Sequence, residues 1–232
     1  MKILLTGFEP FGDLKVNPSQ AILETMRDGH RFCNLHEINT AILPVSFDSA
    51  GARIKKTIQE FKPDAILSLG LSEGSDSITL ERKAMNLKQD VYVLNTKNIK
   101  GPKLILFGRP ISYKSTLPLE RIYRSLKDRN IPVTMSDNAG KYICNYVFYL
   151  ACHQIKLLKN SGKAGFIHVP LMSEEMLEST LDVPSLPLNL MVNAIESCIE
   201  IIITSFRLWQ ILGTRGFGAW RIVGKHALRI LH

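Results

Sequence analysis

Ile131-Pro-Val-Thr-Met135 gives way to Ser136-Asp-Asn-Ala-Gly140, then to a helix-period stretch from Lys141 to Leu158, and then to Ala164-Gly-Phe-Ile-His-Val169. The outer pieces are short apolar runs of strand type, and the piece between them has helical spacing. Outward from this unit the same alternation recurs. Strands are expected at about 2–6, 40–45, 65–70, 91–94, 131–135 and 164–169, and helices at 18–28, 47–60, 118–129, 141–158 and 186–204. Asn17-Pro18 and Asp137-Asn138 supply plausible helix starts. Strands alternating with helices at this spacing imply an α/β sandwich around a mostly parallel sheet.

The chain has 232 residues, enough for one sizeable core, with no internal repeat, linker or low-complexity stretch. Apolar residues at 45% and charged residues at 22% exclude a disordered or collagen-like chain. Residues 88–116, broken by Gly101-Pro102 and Arg109-Pro110, read as an excursion over the sheet edge. The net charge of +8 is unevenly placed: residues 201–232 hold five basic residues and no acidic one, leaving only +3 elsewhere. That makes the basic character a local feature and weakens a nucleic-acid reading. A 1–204 domain is therefore followed by a basic 205–232 tail containing Trp209, Trp220 and four glycines, too glycine-broken for one long helix. Arg207, Arg215 and Arg221 interrupt any membrane-spanning window in it.

Met1-Lys2 leads into an apolar run stopped at Gly7, too short for a secretory signal. Cys33, Cys144, Cys152 and Cys198 show no CxxC pairing and read as free thiols in a reducing cytosol.

The segment from Ser136 to Asn145 carries the chemistry. A strand ends, a small polar loop follows, and a helix opens with Cys144 near its first turn. A thiol there meets the positive end of the helix dipole, which favours the thiolate, and unpaired amides of the same turn can hold an oxyanion. By itself, Cys144 reads more readily as a buried structural cysteine. His168 lies near the carboxyl end of a buried strand, where ligands bind in open α/β sheets, and can exchange a proton with the thiol. His153 is nine residues beyond Cys144, roughly 13 Å along a helix axis, too far to act as the base. A carboxylate should orient the imidazole. Glu81, Glu73 and Asp76 all follow the Leu69-Gly70-Leu71 strand end, and the residues alone do not choose among them. Gly7-Phe8-Glu9-Pro10-Phe11-Gly12 lacks phosphate-loop spacing; its two aromatics suit a small flat apolar ligand, or simply the core.

Five ordered blocks resemble one family. Thr6 through Gly12 with Asn17-Pro18, Glu81 through Asn86, Ser115 through Pro118, Ser136 through Asn145, and Gly165 through Pro170 are similar to pyroglutamyl peptidase I, over roughly residues 1–200. The resemblance implies a three-layer α/β/α fold and a cysteine exopeptidase that removes an N-terminal pyroglutamyl (5-oxoproline) residue from peptides through a thioester, with no metal or cofactor. It places the nucleophile on Cys144, the base on His168 and the acid on Glu81. It places substrate contacts on Phe8, Phe11, Asn17, Leu71, Tyr142 and Ile143. It further implies a cytoplasmic homo-oligomer, a tetramer or dimer, with peptides as partners and neither nucleic acid nor membrane.

Three departures stand out. Ser75 replaces an arginine usual after the glycine, residues 88–114 lack the acidic, proline-rich pattern, and the tail runs past where relatives end. They motivate an alternative, a catalytically impaired descendant that binds pyroglutamyl peptides. Similar architectures also host nucleoside phosphorylases, but the Phe-rich first loop offers little to an anion.

Overall fold

The computed structural model describes residues 1–28, 36–89, 103–158, 161–176 and 183–214. The strand expected at 91–94 and the tail after 214 lie outside the described residues. A six-stranded sheet forms the middle layer, in the order β2-β1-β3-β8-β4-β7. Its strands are β1 (Lys2–Phe8), β2 (Glu37–Leu43), β3 (Ala65–Leu71), β4 (Ile78–Glu81), β7 (Val133–Ser136) and β8 (Lys163–Val169). The small pairs β5 (Lys83–Met85) with β6 (Ser112–Lys114), and β9 (Leu171–Met172) with β10 (Ser185–Leu186), stand apart from it.

β1, β3 and β8 are covered on both faces, so every second residue serves a different layer. Ile3, Leu5, Leu67, Leu69, Ile167 and Val169 meet one cluster; Leu4, Ile66, Ala164 and Phe166 meet the other. On the first face lie α1 (Pro18–Asp28), α3 (Leu119–Asp128) and α6 (Leu188–Thr214); on the second lie α2 (Phe47–Phe61) and α4 (Ile143–Leu158). A four-residue turn of helix, α5 (Ser173–Met176), follows β9. α6 buries Met191, Ala194, Ile195, Cys198, Ile199 and Ile202 along one stripe at helical spacing. Leu188–Phe206 is long and apolar enough to cross a membrane, and half of it is buried inside the protein, against α1 and α3. The helix expected to end at 204 continues to Thr214.

The sheet is mostly parallel, as expected. Four strands run parallel, but β4 pairs antiparallel with β8 and parallel with β7, so two strands of the mostly parallel sheet are reversed. The excursion over 88–116 is described at its two ends. From Lys103 onward it folds back onto α4 through β6, and Tyr149 Oη donates to Pro110 O at 2.7 Å. Asn86 fastens it: Nδ2 donates to Leu106 O at 2.8 Å, and Oδ1 accepts the N–H groups of Ile105 and Leu106. These carbonyls and amides sit in a loop with no ladder of its own, and one buried side chain satisfies them.

Candidate active site

After β7 the chain turns through Gly140, whose φ of +78° is the left-handed conformation that glycine adopts without strain. α4 then starts at Ile143, and its first described intrahelical bond runs from Tyr146 N–H to Tyr142 O. Cys144 therefore occupies the first turn, where the amides of Ile143, Cys144 and Asn145 have no carbonyl four residues back within the helix. Its sulfur points at the sheet. A Cβ added to Gly70 of β3 would lie 2.8 Å from Cys144 Sγ and 2.7 Å from the Phe166 ring, so the missing side chain is the space the sulfur occupies.

Gly70 pairs across the ladder with His168 of β8. In a sheet, directly opposed residues share a face, so His168 lies beside that space. Its Nδ1 is 2.8 Å from Glu81 Oε1, and the Cys144 sulfur lies near enough to act on the charge of its ring. With Nδ1 committed to Glu81, Nε2 is the nitrogen left for sulfur. Glu81 is 2% exposed, and its Oε2 accepts no hydrogen bond from any described group. Burial is the largest influence on His168 and disfavours the imidazolium. The Cys144 sulfur, then the Glu81 carboxylate, outweigh it and raise the pKa to about 9. The imidazolium is thus stabilised between a sulfur and a carboxylate.

The choice among acids is settled by strand pairing. Glu81 stands opposite Phe166, two residues along β8 from His168 and on the same face. The antiparallel direction of β4 places it there, one strand over from β8, rather than on a turn at the carboxyl edge as expected. Glu73 and Asp76 are exposed on the turn between β3 and β4. Arg82 pairs with Asp137 at 2.7 Å on the surface and leaves Glu81 to the histidine. His153, set aside on distance, has its Nδ1 2.8 Å from Tyr113 Oη.

The other expected site residues separate into two groups. Leu71 follows Gly70 at the end of β3, Tyr142 and Ile143 immediately precede Cys144, and Phe11 is half-buried on the first loop. Tyr142 packs edge-on against Phe47 at 5.6 Å. Phe8 is 2% exposed within the α2–α4 cluster. Asn17 is fully buried and caps α1: Oδ1 accepts Ser19 N–H and Ser19 Oγ–H, while Nδ2 donates to Glu9 O. Its side chain thereby anchors the loop bearing Phe11. Ser75, one of the departures, closes its turn locally, with Oγ donating to Ser77 O at 2.9 Å.

Asn145 was not singled out by sequence reasoning. It is fully buried, and its side chain bonds the backbone of Met85 and Leu87. The available signal was a carboxamide inside an otherwise apolar helix face of Ile143, Tyr146 and Val147.

The family model described as pyroglutamyl peptidase matches residues 1–205. The pyrrolidone-carboxylate peptidase of Pyrococcus furiosus is 35% identical over 204 residues, covering 87% of this chain and 97% of the relative. That of Oceanobacillus iheyensis is 37% identical over 198 residues, covering 85% and 97%. A solved structure of a mutant pyrrolidone carboxyl peptidase from the hyperthermophile P. furiosus superposes with a TM-score of 0.80 at 34% identity, over 88% of this chain and 99% of that one. With its fold, its ordered motifs and nearly the full length of its relatives in common with them, the chain belongs to the pyroglutamyl peptidase family of cysteine peptidases.

Proposed function

We propose that the protein hydrolyses the amide bond after an N-terminal pyroglutamyl residue, with Cys144 as nucleophile, His168 as acid–base and Glu81 as the group that orients and charges the imidazole. The Cys144–His168–Glu81 chain at the start of α4, with its histidine and carboxylate buried, carries this reading. With the proton already held on His168, Sγ attacks the carbonyl carbon that joins the lactam ring to the peptide. Negative charge on the carbonyl oxygen falls at the opening turn of α4, where amides without intrahelical partners and the helix dipole favour it. The imidazolium then gives its proton to the departing amine, the C–N bond breaks, and a thioester remains. Water attacks that thioester with His168 as base, releasing pyroglutamate and restoring the thiol.

The substrate suits the walls. Pyroglutamate carries no α-ammonium, so a pocket for it needs aromatic and aliphatic surface with one or two hydrogen bonds. Phe11, Leu71 and Tyr142 supply that surface, Ile143 and Phe8 lie buried behind it, and Asn17 anchors the first loop. No step requires a metal or cofactor.

Release of aminomethylcoumarin from pyroglutamyl-aminomethylcoumarin tests the reading. Activity is expected, to be lost on alkylation, and to persist in a chain ending at residue 214 if the remaining tail lies outside the catalytic unit. Burial raises the thiol pKa of both Cys152 and Cys198 to about 12, so neither competes with Cys144 for alkylator at neutral pH. A folded, reduced sample that binds pyroglutamyl peptides without turnover would favour the impaired descendant.

Localisation and assembly extend the proposal. Three described cysteines are free, which suits the reducing cytoplasm and is checked by cell fractionation. The described excursion exposes Phe107 at 93%, Ile111 at 78% and Leu104 at 52%. Such a patch suits contact between copies in a dimer or tetramer. Light scattering should give a mass of two or four chains, falling to one in Phe107→Asp/Ile111→Asp; a monomeric wild type refutes the assembly.

A further inference from the structure

The segment Glu81–Leu87 touches the catalytic apparatus twice. At its start, Glu81 holds His168 Nδ1 at 2.8 Å. At its end it is gripped by Asn145, the residue after the nucleophile. Asn145 Oδ1 accepts Met85 N–H at 2.8 Å, and Nδ2 donates to Met85 O at 2.9 Å and to Leu87 O at 2.8 Å. The orientation of the amide is set by these partners, because a flipped carboxamide would face an N–H with an NH₂ and two carbonyls with an oxygen. The contacts close a ring: Cys144 to His168, His168 to Glu81, along the chain to Met85, and through Asn145 back to Cys144.

We propose that Asn145 is a positioning residue for the peptidase reaction. Its carboxamide registers the first turn of α4 against the strand segment that carries Glu81, and so fixes the thiol relative to the imidazole. Two opposed constraints make the position sensitive. The sulfur already fills the space beside Gly70, where a built Cβ would lie 2.8 Å away, so it cannot move toward the sheet. Movement away from the sheet lengthens the contact to His168, and a displacement near 1 Å is enough to cost about 10²-fold in rate. Asn145 is the side chain that resists this second movement. Three bonds between a fully buried amide and two backbone residues hold more firmly than apolar contact, because each broken partner would be left unpaired away from water.

The proposal rests on the peptidase reading, so its test pairs turnover with a measurement that needs no substrate. Asn145→Ala and Asn145→Ser are compared with wild type at 25 °C, per folded molecule by circular dichroism. Asn145→Asp, of the same shape, serves where those two do not fold. The expected result is a kcat on pyroglutamyl-aminomethylcoumarin lower by about 10- to 100-fold with KM within about threefold. The rate of Cys144 alkylation by iodoacetamide at pH 7 should fall at least about fivefold, since thiol reactivity depends on its partners. A lowered Tm with wild-type kcat and wild-type alkylation would make Asn145 a purely structural residue and overturn the proposal. A fall in kcat with unchanged alkylation overturns it too, because the effect would then lie on the substrate. If wild type alkylates rapidly, the variants slowly, and none turns over substrate, the peptidase reading fails while the positioning role stands.

Discussion

Cys144→Ala should lower kcat on pyroglutamyl-aminomethylcoumarin by on the order of 10⁴-fold or more, because loss of the nucleophile removes the covalent route altogether. The fold should survive. The substitution deletes one sulfur atom from a half-buried position and adds no polar group to the core. The void beside Gly70 and Phe166 is small, so the cost is about 1 kcal/mol and the change in Tm only about 2–4 °C. Loss of the sulfur also removes an influence that raises the His168 pKa, so the imidazole should titrate lower in this variant. Kinetics with circular dichroism, and the histidine NMR signal followed with pH, check the three statements together. Residual activity within tenfold of wild type would move the chemistry to another group.

Glu81→Gln should be nearly as damaging and more informative. The amide keeps the shape of the carboxylate but removes its charge, and with it the preference for imidazolium. In the wild type, His168 stays protonated up to about pH 9 against an ordinary value of 6.5. A pKa raised on folding means the folded state binds the proton more tightly. The associated stability is complete below about pH 6.5 and disappears as pH rises through about 9. Catalysis follows the same sign where the imidazolium must protonate the leaving amine, so kcat/KM should decline on an alkaline limb near 9. These limbs belong to the coupled thiol–imidazole pair rather than to either group alone. In Glu81→Gln burial still disfavours the charge and only Cys144 opposes it, so the limb should move to lower pH. Activity at pH 8 should drop by about 10²- to 10⁴-fold. Stability between pH 6.5 and 9 should fall in the variant while that at pH 10 changes little. A pH–rate profile and thermal melts across that range decide it; an unmoved alkaline limb would detach Glu81 from His168.

Much of this architecture was legible in the chain, for identifiable reasons. β1, β3 and β8 lie mid-sheet and are apolar on both faces, so Ile3–Leu5, Ala65–Leu71 and Ala164–Val169 read as continuous runs. α1 declared its start through Asn17-Pro18, whose capping role the structure shows in full. β4 was missed because Ile78-Thr-Leu-Glu81 is four residues long and ends in a charge. Its direction is a property of its pairing with β8 and β7, which no linear pattern contains. The same fact explains why Glu81 could not be chosen from the residues alone: the determining contact is with Phe166, far along the chain. Cys144 and His168 were readable because their chemistry depends on where they sit in their own elements, a helix start and a strand end. Asn145 depends on a partner strand, and so do Asn86 and the excursion it fastens.

Gly70 bears on the design of covalent probes. The nucleophilic sulfur is packed as though it were the side chain of its neighbouring strand, with backbone beneath it and the Phe166 ring at its flank. An electrophile therefore has to approach from the side away from Gly70, and whatever it leaves on the sulfur must extend outward along that path. Compact, planar warheads attached to a lactam ring should therefore label the protein, while branched groups next to the reacting carbon should be rejected even when the ring is correct.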